Sequence, residues 1–306
     1  MTNKEKEILK NKILKRHELY KLQGSRLKRL LKDPIRTIPY FIMQYFAYIH
    51  PYKVRYRTLW GDKMSFYLPE AGAIYYYGFF EANLSNFFIN FFKEGDTFFD
   101  VGAHVGYYTM LANSLVGESG QVCSFEPTPR TFASLKENTK NKKNVDVYNV
   151  AILDKDSEIE FFDYGPKYSA FNSFKKRTSE EIFFKDKATK IRVKTISLDS
   201  FCEDKKISPT FIKIDAEGSE HLILKEMNYV LDNIHPLVTI EVSGGEEWKD
   251  NCTQSIDILV KKGYLCFEIS LEGYLKKHTP KSVYVYDNLL FVHPSRLSRI
   301  EDLMEK

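Results

Sequence analysis

Between residues 97 and 292 the chain alternates short apolar runs with amphipathic stretches of helical spacing. The runs predict strands at Thr97–Val101, Gln121–Phe125, Val145–Val150, Thr210–Ile214, Pro236–Val242, Tyr264–Ile269 and Asn288–Val292. Apolar steps of three and four predict helices at Val105–Leu115, Arg130–Asn138, Glu217–Met227 and Thr253–Lys261. Strands that alternate with helices form a mostly parallel sheet covered on both faces. The expected fold class is α/β, doubly wound, with seven strands in one mostly parallel sheet. Residues 154–197 break the rhythm. There Ser157–Phe162 and Lys190–Ile196 read as strands flanking a polar segment, a β insertion in place of a crossover helix.

Ahead of the alternation, residues 3–32 set long charged side chains around Leu9, Ile13, Tyr20, Leu27 and Leu31. This predicts a helix with an apolar stripe, interrupted at Gly24 and ended by Pro34. Ile38–Ile49 predicts a second, aromatic-rich helix. Arg55–Leu68 alternates as strands do and turns at Gly61-Asp62, and Tyr75–Phe92 takes helical spacing through Leu84, Phe87, Phe88, Phe91 and Phe92. The expected division is a basic helical appendage at 1–52, the main domain at 53–294 with its insertion at 154–197, and a tail at 295–306.

Charge adds to this picture. The net charge is +4, yet residues 1–36 hold twelve Lys and Arg against four acids, a local +8 that leaves −4 for the remainder. A solvated basic helix is expected, with an anionic membrane surface or polyanion as the alternative. The aromatic face of 38–49 needs a cover. General burial favours the main domain, while a basic helix beside an aromatic one also suits peripheral membrane contact through residues 1–50. A run of about a dozen residues is too short to span a bilayer, which takes ~20. No nucleic-acid partner is expected. Cys123, Cys202, Cys252 and Cys266 are widely spaced and form no CxxC pair, so buried free thiols in a reducing cytoplasm are expected. The first 32 residues lack the apolar core of a secretory signal.

The chemistry begins in DTFFDVGAHVGYYT (96–109), a strand, a glycine turn and a helix. Gly102 and Gly106 let backbone approach a ligand closely. The third glycine of a dinucleotide turn is missing. Asp100 at the strand end would repel a pyrophosphate but suits the ammonium of an amino-acid moiety. S-adenosylmethionine carries that group together with a carboxylate, which a helix N-terminus favours. Glu126, at the end of the second strand and about twenty residues past the turn, stands where a ribose diol is held. An exposed acid before a helix is the alternative there. Val150-Ala151-Ile152 ends the third strand and is placed to line an adenine slot. In FIKIDAEGSE (211–220), alternation puts Lys213 and Asp215 on one face of a core strand. A buried ammonium there needs a carboxylate partner near the sheet's C-terminal edge. Glu217 and Glu220 follow, as site acids or as charges that favour a helix N-terminus. Glu241 closes the fifth strand.

Seven segments, taken in order, carry a family resemblance: YGFFEANL (77–84), GDTFFDVGAHVGYYT (95–109), SFEPTP (124–129), NVAILDKDSE (149–158), VKTISLDSF (193–201), FIKIDAEGSE (211–220) and TIEV (239–242). With them the chain resembles the FkbM-type methyltransferases, a class I S-adenosylmethionine-dependent family, outside residues 1–50. The resemblance implies a Rossmann-like methyltransferase sheet and methyl transfer to a hydroxyl oxygen, with macrolide, sugar and glycan hydroxyls as acceptors. By motif position it assigns Asp100, Gly102, Ala103, His104 and Gly106 to the donor site, Glu126 to the ribose, and Glu81 to a place over the donor. His104 stands where the family more often has Asn.

An alcohol hydroxyl is barely acidic, so its transfer chemistry needs a positioned base or a metal. Asp215 is the first candidate and Glu217 the second, with Lys213 tuning them. A close ammonium lowers a carboxylate's pKa, which turns Asp215 towards orientation. Asp215 and Glu241, at the ends of adjacent strands, offer an alternative as Mg²⁺ ligands. Two acids are a thin ligand set, so metal-free catalysis is expected. On the acceptor side, Tyr75–Phe80, Tyr107, Tyr108 and Tyr164–Phe174 offer rings that packing explains for the most part, and Asn172-Ser173 offers polar groups. Two readings from other classes stand beside this one. An NAD-dependent oxidoreductase is opposed by the missing glycine; a non-catalytic methyltransferase-like module at a membrane or assembly rests on the basic N-terminus.

Overall fold

The structure is a computed structural model that describes residues 1–305 except 156, 170, 171, 173–187, 243–245, 282, 283, 285 and 286, and except the side chains of 246–249. The basic N-terminus folds as α1 (Asn3–Tyr20), started by a capping box in which Thr2 and Glu5 bond each other's backbone N–H. After Gly24 come α2 (Arg26–Lys32) and α3 (Pro34–Ile49). Pro34 begins a helix as well as ending one, because at the first helical position its missing N–H is no loss; Asp33 caps the same end through the Arg36 N–H. The turn at Gly24 also divides the expected stripe. Leu9 and Ile13 are buried, whereas Leu27 and Leu31 are exposed on α2.

β1 (Tyr52–Arg57) and β2 (Lys63–Leu68) form an antiparallel hairpin, followed by α4 (Gly72–Tyr77) and α5 (Ala82–Phe91). The apolar face of α5 meets the sheet in an aromatic cluster. Phe88 sits 5.2 Å from both Phe98 and Phe211, ring centroid to ring centroid, and such pairs are worth about 0.5–1.5 kcal/mol each beyond their burial. The alternation then runs β3 (Thr97–Val101), α6 (Tyr107–Val116), β4 (Gln121–Phe125), α7 (Pro129–Thr139) and β5 (Val145–Tyr148).

The insertion is a separate small sheet in which β6 (Ala151–Ile152) and β7 (Ser157–Asp163) flank β8 (Thr189–Ile196). A helix without a forecast follows, α8 (Leu198–Lys205), whose Ser197 cap accepts the Ser200 N–H. The chain returns to the main sheet with β9 (Phe211–Ile214), α9 (Glu220–Lys225), β10 (Leu237–Val242), α10 (Glu246–Lys261), β11 (Leu265–Ile269), β12 (Leu275–Lys277) and β13 (Asp287–Val292). Among the described residues this sheet has eight strands, in the order β12-β11-β13-β10-β9-β3-β4-β5. The seven expected strands are joined by the three-residue β12 at one edge. β13 inserts antiparallel between β10 and β11. The stretch from β10 to β5 is parallel, with β4 on one side of β3 and β9 on the other. The chain order reverses at β3, so a crevice opens at the C-terminal ends of β3, β4 and β9.

Candidate active site

Gly102 and Gly106 adopt φ of 77° and 90°, a left-handed conformation that glycine takes at no steric cost. The Gly102 and Ala103 N–H groups both donate to the Phe125 carbonyl, each at 3.0 Å. A Cβ on Gly102 would stand 1.9 Å from the Asp215 carbonyl oxygen. The glycine is thus required by the neighbouring strand end, a reason different from the ligand approach expected of it. Asp100 is buried beneath the turn, and its Oδ2 accepts the Thr109 hydroxyl at 2.7 Å. Its Oδ1 has no hydrogen-bond partner among the described residues. Burial pushes the Asp100 carboxyl up, and the Lys213 ammonium opposes that shift.

At the end of β4, Glu126 accepts the His104 N–H on Oε2 and the Thr128 N–H on Oε1, each at 2.9 Å. It is buried rather than exposed, and burial raises its carboxyl to about 7. His104, at φ 51°, places Nε2 2.9 Å from the Ser169 hydroxyl and 3.7 Å from Glu70 Oε1.

On the other side of β3, Lys213 Nζ bonds Asp215 Oδ2 at 2.9 Å and lies 5.1 Å from the centre of the Tyr108 ring. The carboxylate partner expected for this buried ammonium is therefore Asp215 itself. Burial disfavours the Lys213 charge, but Asp215, Asp100 and Glu81 outweigh it and hold the ammonium protonated. Burial likewise raises Asp215, and the Lys213 ammonium overcomes this to keep the carboxyl below its usual range. Glu241, one residue past the pairing of Ile240 with Ile214, stands beside Asp215. Burial and the neighbouring Asp215 charge raise its carboxyl well above the ordinary value. The two neighbouring carboxyls are thus pushed apart, Asp215 towards its charged form and Glu241 towards its neutral one. Among the described residues no group of three or more His, Cys, Asp and Glu side chains is arranged to hold a metal ion.

These groups meet in a cavity of about 410 Å³, within the range of small-molecule sites. Gly102, Ala103 and His104 line it from the turn, Glu126 from β4 and Ala151 from β6. Lys213, Asp215 and Glu217 line it from the opposite side, with Glu241 from β10. Asp100, Gly106 and Glu81 do not line it. Asp100 and Gly106 lie behind the turn. Glu81, expected over the donor, stands behind Tyr108 and accepts its hydroxyl at 2.7 Å. Glu217 has φ 51° and precedes α9 instead of belonging to it, so the predicted helix starts three residues late.

Residues 100–266, more than half of the chain, match the methyltransferase FkbM domain. The chain belongs to the FkbM methyltransferase family. Hexuronic acid methyltransferase AglP of Haloferax volcanii is 28% identical over 162 residues, 52% of this chain and 60% of the relative. The match thus spans about three fifths of that relative's length. Among solved structures, a methyltransferase FkbM from Methylobacillus flagellatus KT aligns with TM-score 0.41 and 16% identity, over 66% of this chain and 44% of that one. Aeropyrum pernix fibrillarin, in complex with S-adenosyl-L-methionine, aligns with TM-score 0.40 and 13% identity, over 69% and 76%.

Within this FkbM domain and just ahead of it, several cavity groups carry no strong sequence signal. Glu70 is a lone acid after Pro69, yet its buried carboxylate holds Arg130 and lies beside His104. Ser169 lines the cavity from the insertion. Asn172 also lines it, accepting the Tyr164 N–H at 2.8 Å and donating to the Thr128 hydroxyl at 3.1 Å. Ser173 and Phe174 lie outside the described residues. The four cysteines are free, three of them buried.

Glu220 resolves in favour of local structure. Its Oε1 accepts the Ala216 and Gly218 N–H groups, at 2.8 and 3.3 Å, and so pins the loop after β9. Burial raises its carboxyl from 4.5 to about 7. The folded state therefore holds this proton more tightly than the unfolded chain. Its contribution to stability is complete below about 4.5 and is lost as pH rises through about 7, a change of at most about 3 kcal/mol. Glu220→Gln keeps an oxygen for both N–H groups and removes the charge. It is expected to raise the thermal midpoint at pH 8 and flatten its decline between pH 4.5 and 7; a decline as steep as the parent's would refute this account.

Proposed function

We propose that the protein transfers a methyl group from S-adenosylmethionine to a hydroxyl oxygen of a sugar or glycan. One observation carries the reading: a single cavity joins the glycine turn and Glu126 on one side of β3 to the Lys213–Asp215–Glu241 cluster on the other. The residues present fit the donor. Six acids line the cavity, Glu70, Glu126, Asp215, Glu217, Glu220 and Glu241, against the Lys213 ammonium. Glu70 is engaged by Arg130 and Glu241 is held towards its neutral form, and the acids that remain still suit a ligand bearing a sulfonium and an ammonium. Glu126 is held by two backbone N–H groups with lone pairs to spare for a ribose diol. Phe125, Val150 and Ile152 offer apolar walls for a flat base. When bound, the donor supplies an activated methyl group on a good leaving group.

The chain's own residues then have three tasks. The first is alignment, which the turn and Glu126 perform on one side and the loop after β9 on the other. The second is orientation of the acceptor hydroxyl by the ionised Asp215, whose Oδ2 is fixed by Lys213. The third is proton uptake, which falls to Asp215 Oδ1 as the hydroxyl oxygen gains its methyl group. Family membership supports this reaction class over a nicotinamide-linked one, and the relative named for a hexuronic acid supports a sugar acceptor.

Two measurements test this reading. Calorimetry with S-adenosylhomocysteine should show one site, weakened about tenfold in Glu126→Ala by the lost ribose contact. Unchanged affinity in that variant would remove Glu126 from the donor site. Labelled methyl donor turned over against free and lipid-linked sugars should label a hydroxyl; donor binding without turnover on any of them would favour a non-catalytic module.

A further inference from the structure

Helix α3 buries one face and leaves the other bare. On the inner face Thr37 and Ala47 are buried, the Thr37 and Tyr76 hydroxyls are 2.6 Å apart, and the Tyr40 ring stacks on Tyr76 at 4.3 Å. On the outer face Ile35, Ile38, Ile42, Tyr45, Phe46 and Ile49 are each half or more exposed. They recur at three- and four-residue steps along the whole helix, about 24 Å. No charged residue occurs between Thr37 and Ile49. A solvent-facing helix normally turns its polar face outward, and a contiguous apolar patch of this kind marks an interaction surface.

The surroundings of the stripe identify its occupant. Exposed Arg26, Lys28 and Lys32 stand on α2, next to the exposed Leu27 and Leu31. The Arg26 and Arg29 guanidiniums lie 5.9 and 5.0 Å from the centre of the Phe41 ring. Towards the far end of the stripe, Lys167 Nζ lies 5.8 Å from the centre of the Tyr48 ring. Residues 21–36 hold six Lys and Arg and one acid, a charge of +5. Apolar side chains framed by cations complement a layer of acyl chains beneath anionic headgroups.

We infer that α2 and α3 seat the protein in plane on an anionic lipid surface, with the α3 stripe at the acyl boundary and the Lys and Arg at the headgroups. A second copy of the chain fits poorly. A self-complementary contact through this face would bring two +5 segments within about 10 Å, where salt does not screen them. No described helix is long and apolar enough to cross a membrane, in keeping with contact along the surface. The inference stands independently of the reaction proposed above.

Flotation of the full chain with vesicles tests it. The protein should float with phosphatidylcholine vesicles containing phosphatidylglycerol, less so at high salt, and poorly with phosphatidylcholine alone. Ile38→Asp combined with Ile42→Asp should lower partitioning by about tenfold or more. Lys28→Glu combined with Lys32→Glu should lower it on anionic vesicles only. All four side chains are exposed, so thermal midpoints should stay at the parental value, and the lysine pair tests the surface even if the isoleucine pair misfolds. Failure of the parent to float, flotation of both paired variants equal to the parent's, or a dimer that the isoleucine pair dissolves without any lipid binding would overturn the inference.

Discussion

Asp215→Asn is expected to bind S-adenosylhomocysteine within a few-fold of the parent and to lose methyl transfer by about 10²–10⁴-fold. Asparagine keeps the shape at the C-terminal end of β9 but cannot take up a proton. The loss should appear in kcat with KM for the donor little changed, since the interaction removed acts on the acceptor. The Lys213 ammonium 2.9 Å away keeps the carboxylate ionised and a weak base, which suffices because the hydroxyl proton becomes far more acidic as its oxygen gains the methyl group. Removing it also deprives a buried ammonium of its nearest partner. That substitution costs stability as well, although Asp100 stays beside Lys213 in the sheet. Glu241→Gln separates the two effects. It removes the titratable carboxyl beside Asp215, leaves the Lys213–Asp215 bond in place, and should shift the pH profile of transfer more than its height. Full activity in Asp215→Asn would exclude this residue from the chemistry.

Gly102→Ala is expected to cost about 3–5 kcal/mol of stability and to abolish donor binding, and Gly102→Val to do at least as much. The added Cβ meets the Asp215 carbonyl oxygen at 1.9 Å, and backbone φ is 77°. Neither atom belongs to a movable side chain, so the turn and the β9 end must separate. Gly106→Ala makes the contrast. There the Cβ meets Leu135 Cδ1 at 2.7 Å, the far end of a flexible side chain, and the cost should be smaller despite a φ of 90°. Denaturant unfolding of the two variants beside the parent checks the order. A midpoint for Gly102→Ala equal to the parent's would show that the turn and strand end are not in contact.

The elements with strong periodicity were legible from the residues alone. Seven core strands, the hairpin at residues 52–68 and the insertion's two long strands lie within a few residues of their forecast positions, because each is an apolar or alternating run closed by turn residues. Several features escaped, among them α4, and also β6, whose residues read as the end of the third strand but lie in the small sheet; three others show why. α8 is short and carries its signal in a single Ser197 cap. β12 is a three-residue edge strand whose two charged residues read as loop. The start of α9 was set too early because nothing in Glu217-Gly218 announces a left-handed pair that holds the chain open. Within the site, the residues of the glycine turn and of FIKIDAEGSE were legible through spacing, since both follow core strands at the edge where ligands bind. Glu70 and Ser169 were not. They come to the cavity from a loop and an insertion, where sequence distance carries no geometric information. The cover of α3 was half legible: the main domain takes the inner face, and the outer face stays open.

The Lys213 ammonium is the last link of a chain of contacts that begins far away. Asn288 on β13 donates to Glu81 across 207 residues of sequence, Glu81 accepts the Tyr108 hydroxyl, and the Tyr108 ring lies against Lys213. Each link joins a different part of the chain, and none forms through local contacts. Closing such long loops is slow in folding. Their closure rests on β13 being seated between β10 and β11, which brings Asn288 beside Glu81. The Lys213 end of β9 is thus tied, through Tyr108 and Glu81, to the antiparallel side of the sheet.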